Sequence, residues 1–426
     1  MAGACGVTKP TSVPTRPGPG SVHHHGSHRQ LLKALPVVHF PSDVDAVIVP
    51  TARHPAVLDS AIALATKLNC TLVALCSKFS SAAEVAVFRA AAGIRVIAVD
   101  IGEMPAGVIP TFGTCRVLAG TKFERRSDTS LKRNFGLLLA RILGWQRIVF
   151  LDDDIHVPEP MDLREAAGMT GRYAGVGLAI DDVNGMADNS VVCHAYREAG
   201  GVQDVFIGGG ALAVNPMSVT SFFPNIYNED WFFLLDEGGL LPVTTVGTAI
   251  QNNYDPFLES RARREELGDC IAEGLFWLLD SGRSLRDANA GHWQRFLRER
   301  VAFITDVIHM VERMGGDVER RHRMLLALRA ARGRCQYIRP ELCVRYLDAW
   351  RADRVRWRKH LDDAHRTFVV KRKKGRAERR SLAGVRDTFR SLGFSDRAVR
   401  LHLPAQQPLD HDLADLEVSY AVPVGH

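Results

Sequence analysis

The chain lacks a long apolar run. None of its hydrophobic stretches approaches the ~18 residues that a membrane-spanning helix needs, and its start lacks the basic-then-apolar layout of a secretory leader. Both absences lead us to expect a cytoplasmic protein. Cysteine is sparse, with eight residues and no Cys-x-x-Cys pair. That argues against a zinc ribbon or a disulfide framework and for reduced thiols in apolar surroundings. No repeat of 20–50 residues is visible. A basic face throughout, the mark of a nucleic-acid binder, is missing as well. The formal charge is only +6 over 426 residues. The excess gathers at residues 371–380 (KRKKGRAERR), where Glu378 is the single acid. We therefore expect no nucleic-acid partner. The basic C-terminal region suits peripheral contact with a membrane, and a solvated helical face explains it equally well.

What is present is a chain able to bury a core, with 46% hydrophobic and 24% charged residues. Residues 1–40 are rich in Pro, Gly, Ser and Thr and carry His23, His24, His25 and His28. They read as a flexible, solvated leader with nothing to fix a metal geometry. Short runs rich in Val and Ile follow at residues 45–50 (DAVIVP), 70–76, 94–99 and 147–151 (RIVFL). Helical spacing separates them at residues 57–68, 82–92 and 130–143. Strands alternating with helices imply an α/β fold with an open, mostly parallel sheet flanked by helices. Ligands of such sheets bind beyond the carboxyl ends of the strands. Further strands are expected at residues 175–180 and 205–214. Helical patterns dominate from about residue 259 to 370. We expect a catalytic domain at 41–260, an α-helical C-terminal region at 261–370 and a basic, partly ordered tail at 371–426.

The sharpest chemical feature is FLDDDIHV at residues 150–157. Asp152, Asp153 and Asp154 at one strand end raise one another's pKa unless a counter-charge is near. Oxygen ligands of this kind suit Mn²⁺ or Mg²⁺. If the strand continues, Asp152 and Asp154 point alike and Asp153 faces the fold. The second feature is YNEDWFF at residues 227–233. Glu229 and Asp230 among aromatics suit a general base; equally, Asn228 reads as the N-cap of a helix that the two acids complement. Lys132, Arg133 and Asn134, preceded by Arg125 and Arg126, offer cations for a diphosphate or simply a solvated helix start. Gly208, Gly209 and Gly210 permit close backbone approach to a ligand, or form a structural bulge. No Gly-Lys-Ser/Thr follows them, so they are not a Walker A loop.

In this order the motifs resemble the GT-A-fold glycosyltransferases, most closely the family 2-like group. The resemblance covers about residues 44–260. It rests on VIVPTAR (47–53), RNFGLLLARILGWQRIVFLDDD (133–154), GGGALAVNP (208–216) and NEDWFF (228–233). It implies a GT-A, Rossmann-like sheet and transfer of a hexose from a nucleoside-diphosphate sugar to an acceptor hydroxyl. Pro50, Thr51 and Arg53 would line the nucleotide pocket, with Arg133 and Asn134 near the diphosphate. Asp152 would face the ribose or donor sugar, beside Asp153. Asp152 and Asp154 would hold the metal, Mn²⁺ or Mg²⁺. Gly208 and Gly209 would border the donor sugar and acceptor. Asp230 would be the catalytic base of an inverting displacement, with Glu229 orienting the acceptor. If Asp230 does not reach the acceptor, retention of configuration becomes open. The chain departs from the family pattern twice. Cys76-Ser77-Lys78 stands where an acidic residue often reads the base. The nearest downstream candidate for a further metal-binding histidine, His292, is loosely spaced and reads better as a surface side chain than as a ligand.

Other readings compete. A haloacid-dehalogenase-type phosphatase also carries Asp-x-Asp after an apolar strand, but there the motif opens the domain. A sugar nucleotidyltransferase would need glycines after the first strand, and PTARHPAVL has none. A degenerate sugar-nucleotide fold serving as a binding or assembly module would leave Trp350 and Trp357, seven residues apart, either as a partner surface or as the core side of a helix.

Overall fold

The computed structural model describes residues 28–35, 40–88, 93–182, 190–203, 206–370 and 375–402. The expectations about His23 to His25, the end of the helix at 82–92, Val205, the start of the basic run and residues beyond 402 lie outside them. Nine strands form one sheet: β1 (Ala46–Thr51), β2 (Thr71–Cys76), β3 (Val96–Asp100), β4 (Ile148–Leu151), β5 (Ile155–His156), β6 (Gly175–Asp182), β7 (Ala211–Val214), β8 (Val243–Gln251) and β9 (Val399–His402). Their order is β5-β8-β6-β7-β4-β1-β2-β3-β9.

The α/β reading holds, but the sheet is mixed. The run β3-β2-β1-β4 is parallel throughout. β7 lies antiparallel to both β4 and β6, and β9 is antiparallel to β3. The chain enters β7 through Gly208–Gly210 at the edge where β4 and β6 end, so it must run back. The parallel strands read as unbroken apolar runs because both faces are covered. Ala46, Ile48, Val73 and Leu75 face one core with α4 (Thr129–Leu143), and Val47, Val49, Leu72 and Ala74 face the other. That second core is built on α1 (Asp59–Leu68) and α5 (Pro160–Met169) with α2 (Ala82–Phe88), while α3 (Gly113–Leu118) packs into the first core.

After α6 (Val191–Glu198) and α7 (Glu229–Phe233), the C-terminal helices are α8 (Glu259–Asp280), α9 (Ala290–Arg313), α10 (Val318–Cys335) and α11 (Pro340–His365). Their apolar faces share the first core with α4 and α7. Trp350 and Trp357 belong to it, 1% and 0% exposed, so their spacing marks a core face and not a partner surface. The described cysteines are free, and all except the half-buried Cys115 are buried, as expected. Residues 375–402 are more ordered than the tail reading implied. α12 (Arg376–Arg380) and α13 (Leu382–Ser391) lead into β9 at the sheet edge. Among the described residues no helix is long and apolar enough to cross a membrane.

The expected solvated leader is docked where it is described. His28 is 1% exposed. Its Nε2 lies 3.1 Å from Glu273 and its Nδ1 2.5 Å from Asp280, both on α8. Its ring meets Trp231 edge-on at 5.4 Å. Burial alone would lower the His28 pKa, but hydrogen bonds to Asp280 and Glu273 outweigh it and raise it to about 9. A histidine raised in the folded state stabilises fully below its unfolded value of about 6.5 and ceases to as pH climbs through 9. His28→Ala therefore lowers the urea midpoint strongly at pH 6 and much less at pH 9.5. An equal loss at both values would dismiss the ion pair as the cause.

Candidate active site

β4 is buried along its whole length and stops at Leu151. Asp152 N–H donates to the Gly210 carbonyl at 2.9 Å, and Ile155 N–H returns to the Asp152 carbonyl at 3.1 Å. The chain therefore turns at once, and strand alternation does not orient the three aspartates. The turn brings all three to one cleft wall, including Asp153, which was expected to face the fold. Thr51 Oγ1 donates to Asp153 Oδ2 at 2.8 Å. Arg53 reaches Asp153 at 3.2 Å and Asp154 at 2.8 Å. Burial lifts the Asp152 and Asp153 carboxyls above the usual range, against Arg133 and Arg53 respectively, while their acidic neighbours push the same way.

α4 supplies the opposing charge. A side chain at Gly136 would lie 3.0 Å from Ile48 and 3.2 Å from Phe150, so only glycine lets the helix sit this close to the sheet. Arg133, one turn earlier, reaches the strand ends. Its Nη2 donates to Asp152 at 2.7 Å and its Nη1 to Glu229 at 3.2 Å, with the side chain 4% exposed. Burial would lower its pKa, but Asp152, Glu229 and Asp230 outweigh that and raise it. Lys132 is equally buried and donates to the Thr51 carbonyl at 2.8 Å and Ser77 Oγ at 2.7 Å. It thereby ties the ends of β1 and β2 together. Neither residue is the solvated helix start that the sequence also allowed.

Glu229 and Asp230 open α7. Asn228 sits at the N-cap position with φ 60°, but its side chain does not cap; it donates to Asp269 at 3.0 Å. Asp230 accepts the Gly209 N–H at 2.5 Å and its neighbour's, Trp231, at 3.0 Å. Burial and the adjacent Glu229 raise the Asp230 pKa to about 6, against Arg133 and the two N–H donors. The glycine run packs against the protein's own side chains. A Cβ on Gly209 would lie 2.6 Å from Arg133 Nη1 and 2.9 Å from Asp230 Cβ.

These groups share one cavity of about 560 Å³. Pro50, Thr51, Arg53, Arg133, Asp152, Asp153, Asp154, Gly208, Gly209, Glu229 and Asp230 all line it. Asn134 does not. It is buried, and its amide binds both the carbonyl and the N–H of Phe223 at 2.8 Å. Its work is to hold the loop that leads into α7. His292 is also elsewhere, neither a ligand of this cleft nor a surface residue. It lies 2% exposed among Trp277, Trp293 and Phe296, and burial drops its pKa to about 4.

The cleft has further walls, of which only Lys78 and Tyr227 fall in segments that the sequence singled out. Lys78 and Asp128 stand beside Lys132, and Tyr227, Gln251, Tyr254 and Arg261 close the far side. Arg261, from the first C-terminal helix, lies 4.4 Å over the Tyr254 ring and holds Glu265 at 2.6 Å. No motif marks Tyr254 or Arg261; only folding brings them to the strand ends.

Charge decides what such a cleft can hold. In the inner network Asp152, Asp153, Asp154, Glu229 and Asp230 meet Arg53, Arg133 and Arg125, the last donating to Glu229 at 3.1 Å. Five carboxyls against three guanidiniums leave two negative charges in this network, and Lys78, Lys132 and Arg261 against Asp128 offset them, so the whole lining is balanced at six acids to six cations. Asp152 and Asp154 turn to different arginines. Among the described residues the acidic and thiol groups that converge within 4.8 Å lie elsewhere: Glu266, Cys270 and Cys335, buried between α8 and α10. Arg300 already pairs with Glu266 there at 3.0 Å, and burial raises the Cys270 thiol, so that group disfavours a cation.

No family model matches the chain, and no curated protein matches it closely enough to count as a relative.

Proposed function

We propose that the chain is a metal-dependent glycosyltransferase of the GT-A type that moves a sugar from a nucleoside-diphosphate sugar to an acceptor hydroxyl. One observation carries this reading. The Asp152–Asp154 turn and the Glu229–Asp230 pair face one cavity, with Arg133 bridging Asp152 and Glu229. The position, at the carboxyl ends of the parallel strands, is where open α/β sheets bind ligands.

A divalent cation fits the donor set, since the carboxylate donors are all oxygens, and the balanced lining suits a cation and an anionic diphosphate taken together. Asp152 and Asp154 would hold it. When bound, it neutralises charge on the departing diphosphate. The chain's own residues do the rest. Arg53, Lys78 and Arg261 present positive charge to the phosphates. Thr51 and Arg53 fix Asp153. Asp230, with its pKa at about 6, is mostly ionised at neutral pH and takes the acceptor's hydroxyl proton. The acceptor oxygen bonds to the anomeric carbon as the bond to the diphosphate breaks, its electron pair leaving on the phosphate oxygen. That is a single displacement with inversion. A second reading, a binding module without turnover, draws on Arg53, which already satisfies Asp153 and Asp154 with no metal.

Calorimetry with a panel of nucleoside-diphosphate sugars, with and without Mn²⁺, tests the proposal. Wild-type protein binds at least one donor more tightly with Mn²⁺, and Asp154→Asn loses the gain. Metal-independent affinity that Asp154→Asn leaves unchanged refutes it. Donor hydrolysis by the wild type, absent in Asp154→Ala, separates the enzyme from the module.

A further inference from the structure

A second cavity, of about 320 Å³, lies at the opposite edge of the sheet. It is lined by the residues just before β6 and β8 and just after β7. The register places those residues at the far ends of these strands from Ile180, Gln251 and Gly208–Gly210, which line the first cleft. Arg172, Arg354 and Arg358 all line the second cavity, and among the described residues none forms an ion pair with a carboxylate. Asp236, the one acid in the wall, accepts the Gly238 and Gly239 N–H groups through Oδ1 and offsets only part of the charge of the three arginines.

Arg354 is the unusual member. It is 5% exposed. Its Nη1 donates to the Leu235 carbonyl at 2.5 Å and to Ser221 Oγ at 3.1 Å. Its Nε is buried with no acceptor. A guanidinium cannot shed its charge, so burying one against neutral acceptors alone is costly. Burial pulls its pKa down and the neighbouring Arg358 adds to that, while the carboxylates of Asp236 and Glu237, neither within ion-pair distance, push the other way without overcoming burial. Most buried guanidiniums elsewhere in this protein have acids to offset the same cost: Arg133 has Asp152 and Glu229, and Arg300 has Glu266 and Asp269.

We infer that this cavity is an anion site for a phosphate group, carried by a small soluble phosphorylated molecule. Three guanidiniums and the hydroxyl of Ser221, whose oxygen accepts from Arg354, suit the charge and acceptors of a phosphate dianion, which arginine binds through paired N–H donors. The recessed position of Arg354 favours a small ligand over the flat face of a membrane. The site is independent of the proposed transfer chemistry, because it shares no lining residue with the cleft.

The test uses the full chain. Inorganic phosphate and glycerol phosphate are titrated against wild type, the double variant Arg172→Gln/Arg358→Gln and Asp154→Asn, at ionic strength matched with chloride. Vesicles containing phosphatidic acid form a separate arm. Wild type and Asp154→Asn show the same saturable phosphate affinity and thermal stabilisation, and the double variant loses at least tenfold in affinity. Arg172 and Arg358 are exposed, so the double variant keeps its fold, which circular dichroism checks. No saturable binding, or binding that the double variant retains, overturns the site. Binding to the vesicles but to neither soluble phosphate overturns the small-ligand assignment.

Discussion

Replacing Asp230 by Asn lowers turnover by roughly 10²- to 10⁴-fold, the usual worth of a general base, and leaves donor affinity unchanged. The asparagine keeps one oxygen to accept the Gly209 N–H, which holds the segment between the glycine run and α7, and gives up only the local acceptor of the Trp231 N–H. What is lost is the group that the proposed mechanism assigns to take the acceptor's proton. The same reasoning fixes a pH profile for the wild type. A base must be ionised to act, and the Asp230 pKa is raised to about 6. Turnover therefore rises with pH through 6 and flattens above it, and the variant lacks that limb. Near-normal turnover in Asp230→Asn, or a profile that is flat between pH 5 and 7, would remove Asp230 from the role.

The largest loss of stability is expected from Arg133→Met. The methionine fills part of the space but leaves Asp152 and Glu229 without the guanidinium that now lies 2.7 and 3.2 Å from them. Removing one member of a buried ion pair costs about 3–5 kcal/mol, because the remaining charge is stranded. The sign of the pH dependence follows. Arg133 holds down carboxyls that burial already raises. Without it they bind protons more readily, so the variant's handicap shrinks as pH falls and is largest at neutral pH. Urea unfolding at pH 5 and pH 7.5 reads both values. An equal handicap at both pH values would mean that packing, not charge, is what Arg133 contributes.

Much of the fold was legible because its signals are local. β1, β2 and β4 are apolar on both faces, and Gly144, at φ 74°, closes α4 where the periodicity ends. β8 was missed because its sequence, VTTVGTAIQ, is half-exposed and carries neither a long apolar run nor clean alternation. β9 was missed for a different reason. It is four half-buried residues whose partner β3 lies some three hundred positions earlier.

The site divides in the same way. The aspartates and the Glu229–Asp230 pair stood out as types and clusters of residues, and the fold brings them to one cleft. The part played by Asn134 was not legible, since a buried amide holding a backbone loop and a polar group facing a ligand look alike in sequence. His28 misled for a related reason. Composition marked its surroundings as a leader, but its acidic partners are some 250 residues away.

That docked segment has a practical consequence. A truncation starting at residue 41, where composition places the first folded domain, would discard His28 and Gln30, which reach Asp280, along with Lys33, whose backbone joins Val243 and Thr244. Glu273 would keep its buried position and lose its neutralising neighbour, beneath the very tryptophan that follows Asp230. The shorter chain should thus be harder to produce in folded form than its composition suggests. Protease resistance should include His28, well before the boundary that hydrophobicity alone would draw.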